Sequence, residues 1–223
     1  MNRRLTLCLA ITLLLAAGMS ITAVSNSIPA RTASSAMLAG PNGNEKQCAF
    51  RNAMRKLWED HITWTRVFII SAAADLPDKE AATQRLLQNQ VDIGAAIKPY
   101  YGDAAGEKLA TLLKEHITTA AELVAAAKAN ETVKMEDAKK RWYANADAIA
   151  AFLSGANPKN WPLVEMKRMM HEHLDVTTTE VIARLHGDWA ADVKAYDSIH
   201  EQILRMADML SAGIISQFPK KFE

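Results

Sequence analysis

Residues 54–68 read MRKLWEDHITWTRVF. Met54, Leu57, His61, Trp64 and Phe68 stand three and four apart, which puts them on one side of a helix, with a single imidazole midway along an apolar stripe. The same arrangement returns twice downstream, as Leu109, Leu112, His116, Ala120 and Leu123, and as Met166, Met169, His173, Thr177 and Val181. The surrounding residues recur too. Asp60-His61-Ile62-Thr63 matches Glu115-His116-Ile117-Thr118, and Glu172-His173-Leu174 is a weaker third copy. In the intervening stretches Asn89 and Ile93 match Asn145 and Ile149, with Ile199 and Ile203 in the third place.

Helical spacing runs from Gln47 to Phe218 and breaks at Leu76-Pro77-Asp78, Tyr101-Gly102-Asp103, Asn130, Asn157-Pro158 to Pro162, and His186-Gly187-Asp188. These breaks predict six helices, at 48–74, 79–100, 104–129, 133–154, 162–185 and 189–217, with Pro99 in the last turn of the second. The expected fold is therefore an all-α six-helix bundle of three tandem antiparallel hairpins, an internal repeat of about 55 residues. Composition agrees. Of 223 residues 49% are hydrophobic and only 9 are Gly and 7 Pro, which favours long helices and a sizeable core. The formal net charge of +1, without a basic tract, argues against nucleic acid as a partner.

The first 25 residues have the pattern of an export signal or an N-terminal membrane anchor. Arg3 and Arg4 precede an apolar run from Leu5 to Val24, and small residues such as Ala23 and Ser25 suit a cleavage site. Residues 26–46, rich in Ser, Ala, Gly, Pro and Asn, read as a flexible linker, and 47–219 as the helical domain. The expected location is extracytoplasmic, with membrane contact only through the N-terminal segment. Loss of that segment would take Cys8 and leave Cys48 without an internal partner, so stability must come from packing.

In an antiparallel hairpin, residues equidistant from the turn lie at one height. His61 and Asn89 average to position 75, at the Leu76-Pro77 turn, His116 and Asn145 to 130.5, at the Asn130 turn, and His173 and His200 to 186.5, at His186-Gly187. The expectation is a polar layer midway through the bundle, with a His–Asn pair in two hairpins and a His–His pair in the third. Such a layer satisfies buried polar groups and fixes register. The alternative is a transition-metal site (Zn, Cu or Fe) with His61, His116, His173 and His200 as ligands and Asn89 and Asn145 orienting them. The neighbouring acids Asp60, Glu115 and Glu172 lie one residue off the stripe, and no Glu-x-x-His pattern occurs. His171 reads as a surface residue that could pair with Asp175. The methionines 166, 169, 170, 206 and 209 and the tryptophans 58, 64 and 142 read as core. No phosphate loop, Cys-x-x-Cys, Gly-x-Ser-x-Gly or His-Glu-x-x-His is present, so nothing points to an enzyme and no cofactor is required.

Several stretches resemble a family of bacterial all-helical proteins with no established activity. They are Leu57-Trp58-Glu59-Asp60-His61 with Trp64-Thr65-Arg66, Arg85-Leu86-Leu87 with Asn89, Pro99-Tyr100-Tyr101-Gly102, Arg141-Trp142-Tyr143-Ala144-Asn145-Ala146-Asp147, and Tyr196-Asp197 with Met206-Ala207-Asp208. The resemblance runs from about residue 54 to 218. It implies the helical fold and no function, and it differs at two places: many relatives start without an export-like segment, and an acid stands where this chain has His200. The sequence therefore reads as an exported, non-enzymatic helical-bundle protein with a structural His/Asn layer, the metal site being the alternative; its physiological partner is open.

Overall fold

The computed structural model describes residues 43–223. The expected signal or anchor segment, and all but the last four residues of the expected linker, lie outside the described residues. Six helices follow in order: α1 (Gly43–Ala73), α2 (Lys79–Tyr101), α3 (Asp103–Lys128), α4 (Thr132–Ala156), α5 (Leu163–Leu185) and α6 (Trp189–Gln217). A 3-10 turn, Pro219–Phe222, comes after α6. Among the described residues there is no strand, and no helix is long and apolar enough to cross a membrane.

Helix α1 begins earlier than its spacing predicts, inside the expected linker. The cause is tertiary. Phe222 is buried against Phe50 and Tyr100, with ring centres 5.2 and 5.7 Å away. Lys46 Nζ donates to the backbone carbonyl of Glu223. The chain's last residues thus cover the first turns of α1 and hold helical a stretch that has no apolar period of its own.

The three hairpin turns are built alike. Asp75, Asn130 and Gly187 take left-handed φ angles of 52°, 57° and 73°. The following N–H then reaches back five residues, from Leu76 to Ser71, from Glu131 to Ala126 and from Asp188 to Ala183, at 2.9, 2.9 and 3.0 Å. This double-back satisfies the carbonyls that a helix end leaves free. Asp and Asn tolerate the left-handed region better than bulkier residues, and glycine enters it at little steric cost. Each of these residues lies 14 positions after its hairpin's histidine (61 to 75, 116 to 130, 173 to 187).

Helix α1 packs on α2 and α6, α2 on α3, α3 on α4, α4 on α5, and α5 on α6, so the six helices close a ring. Across its interior α1 also touches α3 and α5. The links between helices are short, so successive helices run antiparallel and α1, α3 and α5 run the same way. Between α4 and α5 the link buries Trp161 against Gly213, where a Cβ would stand 2.2 Å from the indole nitrogen. The core falls into a large cluster and a smaller one, Phe68, Ile69, Leu86, Ile117, Val124 and Val181.

Candidate functional site

The three stripe histidines reach the interior. His61, His116 and His173 are 3%, 3% and 5% exposed, one each from α1, α3 and α5. The His61 and His173 ring centres are 5.8 Å apart. Each Nδ1 meets a side-chain amide 29 residues further on. His116 donates to Asn145 Oδ1 at 2.9 Å and His173 to Gln202 Oε1 at 3.1 Å, while His61 accepts from Gln90 Nε2 at 3.3 Å. Because Asn145 and Gln202 give their amide nitrogens to backbone carbonyls, their oxygens face the rings, and His116 and His173 carry a proton on Nδ1.

A second bond recurs with the first. An amide nitrogen from the partner helix donates to the carbonyl four residues before the histidine: Asn89 to Leu57, Asn145 to Leu112 and Gln202 to Met169, at 3.0, 3.1 and 3.0 Å. In the second and third hairpins one side chain does both jobs. In the first they are divided: Asn89 takes the carbonyl, and Gln90 Nε2 shares its two hydrogens among the Leu86 carbonyl at 2.8 Å, Asn89 Oδ1 at 3.2 Å and the imidazole.

Two expected pairings are corrected. His61 pairs with Gln90 rather than Asn89, and His173 pairs with Gln202 rather than His200. His200 lies at the surface, its side chain 43% exposed and its Nε2 3.0 Å from Glu59 Oε1. A two-residue step along α6 turns the chain by more than half a circle, so Gln202 faces inward and His200 outward. The four-histidine set therefore does not assemble, and among the described residues no group of three or more His, Cys, Asp or Glu is placed to hold a metal ion. His171 is half-exposed, as expected, but its Nε2 lies 2.9 Å from Asp147; Asp175 instead accepts from the Tyr143 hydroxyl.

Burial keeps the layer uncharged. It pushes His116 down to about 3, helped by His173 and opposed by the bond to Asn145. It pushes His173 down to about 4, opposed by Gln202. His61 falls well below its ordinary value through burial and then through the other two imidazoles. Around the layer, four buried polar atoms lack a hydrogen-bond partner: Gln90 Oε1, His116 Nε2, Trp58 Nε1 and Trp142 Nε1. The Trp142 ring lies against His116, with centres 5.3 Å apart.

On the turn side of the histidines the interior opens into a cavity of about 150 Å³, which the sequence reading did not anticipate. Its origin lies four residues past each histidine, where Thr65, Ala120 and Thr177 are all small and all line the space. Phe68, Leu86, Ile117 and Val181 wall it, Trp142 borders it, and Met135, Lys139 and Ile182 stand at its partly exposed mouth. Three small residues at one height were the available signal.

A second feature escaped the reading. Arg66 bonds Glu180 at 2.5 Å and Asp192 at 2.9 and 3.0 Å, and Arg184 bonds Asp192 at 3.1 Å. Glu180 and Asp192 are both 1% exposed. Burial pushes the Glu180 carboxyl up to about 7 against the pull of Arg66. This cluster ties α1, α5 and α6 together; an acid seven residues past His173, on its buried side, was the clue.

Set against models of known protein families, curated proteins and solved structures, the chain matches none.

Proposed function

We propose that this is a non-enzymatic binding protein that works outside the cytoplasm and holds a small apolar molecule in the chamber between α1, α3 and α5. The carrying observation is the chamber itself. Its walls are largely apolar, and it exists because the position four residues past each histidine is small in all three hairpins. A hollow of this size in the side-chain packing forgoes contacts that one larger side chain would recover. A role for the space accounts for that cost.

The polar layer serves structure in this reading. Each imidazole is buried, neutral and tied to its own hairpin partner, and none of the three rings hydrogen-bonds a carboxylate, hydroxyl or thiol among the described residues. Export rests on the apolar run Leu5 to Val24 behind Arg3 and Arg4. The test is binding of compact hydrocarbons such as toluene or methylenecyclohexane, followed by calorimetry and by the rise in melting temperature. Saturable binding that Ala120→Leu abolishes, with helicity unchanged, supports the reading. Absence of binding to the parent protein, or binding that survives Ala120→Leu, overturns it.

One observation favours a second reading, a transition metal at His61, His116 and His173: the buried Nε2 of His116 has no partner while its Nδ1 is held by Asn145, which is how orienting bonds prepare a ligand. It asks the rings to close in from the 5.8 Å that separates the His61 and His173 centres. Stoichiometric Co(II) uptake, lost when all three histidines become Gln, supports this reading; a parent protein that takes up no cobalt rules it out.

A further inference from the structure

The chamber does not end at its mouth. A second hollow, wider and more open, adjoins it at the end of the bundle where the hairpins turn, and Ala127, Met135 and Ile182 line both. The two follow one another along the helices. Thr65, Ala120 and Thr177 line the chamber, and Ala73, Lys128 and Leu185, each eight residues further on, line the outer hollow. Eight residues of helix rise about 12 Å, the length of an extended chain of about ten carbons.

The two linings differ in chemistry. In the chamber the hydroxyls of Thr65 and Thr177 are donated to the His61 and His173 carbonyls at 2.8 Å, which leaves largely hydrocarbon walls. The outer hollow carries Lys128, Asn130, Arg184 and His186 and no acid among the described residues. Asp75 and Asp192, which do not line it, hold Lys128 at 2.6 Å and Arg184 at 3.1 Å, and Lys128 also donates to the Ala72 carbonyl at 2.9 Å. An ammonium so engaged has a further N–H to give, and a guanidinium several. At the chamber's mouth Lys139 has no ion pair among the described residues, and Glu136 beside it is the one acid lining either space. Lysine and arginine donate and cannot accept, so the group that complements them is rich in acceptors. It can also be charged. Asn130 and His186 are exposed, so an ion in the outer hollow keeps much of the water that the chamber would strip from it.

We propose that the chamber's ligand is a single-chain carboxylate of about ten carbons, whose tail fills the space between α1, α3 and α5 and whose carboxylate lies in the outer hollow beside Lys128. This rests on the binding role given above and names its ligand class. The tail supplies the affinity through burial, and the basic lining selects the sign of the head group.

The test titrates toluene, decanoate and decyltrimethylammonium into the parent protein and into Lys128→Gln by calorimetry, below the concentrations at which the amphiphiles form micelles. Decanoate should displace toluene. It should also bind the parent at least about tenfold more tightly than decyltrimethylammonium, which has the same tail and the opposite charge. Lys128→Gln should weaken decanoate about tenfold, as expected for one lost charge-assisted hydrogen bond, and change toluene by less than about twofold. The comparison of head groups needs no variant, so it holds even if Lys128→Gln folds badly. Bound toluene that decanoate does not displace, a cationic amphiphile that binds as well as the anionic one, or decanoate binding unchanged in Lys128→Gln overturns the ligand class and leaves the chamber reading intact. A parent protein that binds no toluene overturns the two together.

Discussion

Asn145 shows how much one side chain can hold. It accepts from His116 and donates to the Leu112 carbonyl, so Asn145→Ala strands the buried Nδ1–H of His116 and removes the second bond to a carbonyl already held within α3. At about 1–3 kcal/mol for one unsatisfied buried group, a loss of roughly 2 kcal/mol in urea unfolding is expected. The histidines themselves make stability depend on pH. Their folded values are depressed while the unfolded chain titrates near 6.5, so the unfolded state binds protons first on acidification. Their contribution is complete above about pH 6.5 and is lost as the pH falls towards about 4 and then about 3. Glu180 acts in the opposite sense: its raised folded value makes its contribution largest at low pH, and it fades as the pH rises through about 7. Urea midpoints measured from pH 7.5 down to 4.5 in a Glu180→Gln background should therefore fall with acidification, and His173→Gln should flatten the fall. A midpoint that stays level in that background would contradict neutral, buried imidazoles.

At the scale of the element, the turns make the sharpest prediction. Gly187 has φ 73°, and a Cβ there would meet nothing closer than 3.7 Å, so Gly187→Ala carries only the left-handed backbone cost, about 1 kcal/mol. Asn130→Gly, at φ 57°, should be neutral or stabilising by up to about 1 kcal/mol, and comparing the two by thermal unfolding separates backbone strain from lost contacts. The helices were legible because stripe, turn and polar residue agree locally. The ends of the six helices were anticipated to within a few residues, except at Gly43, where helicity comes from contact with Phe222 and Glu223, far away in the chain. The inward facing of His61, His116 and His173 was legible for the same reason. Their partners were legible in the second hairpin alone. Equidistance from a turn fixes height along the axis but not direction around it, and a one- or two-residue choice between Asn89 and Gln90, or His200 and Gln202, is settled by how each partner helix rolls on its neighbours. The chamber was hidden because it depends on three small residues from separate hairpins meeting across the interior.

The whole molecule is held by closures that link its first helix to its last. Arg66, Glu180, Asp192 and Arg184 form one such closure, and breaking a buried charge pair on one side leaves the other uncompensated. Asp192→Asn should cost about 3 kcal/mol or more, read as a lower urea midpoint, and should loosen the α1–α6 seam before the hairpin turns in hydrogen exchange. Phe222 is the other. At 3% exposed among Phe50 and Tyr100, its replacement by Ala should cost about 3–5 kcal/mol.

The same clasp brings Gly43 and Glu223 within touching distance, since a Cβ on Gly43 would sit 3.6 Å from the Glu223 Cα. For a closed circle of antiparallel rods this means that the order of the rods is a matter of where the circle was cut. Splicing residue 223 to residue 43 with a few glycines, and opening the chain at Asn130 instead, should give a circular permutant with the same buried imidazoles and the same hollow, its helices numbered from a different start.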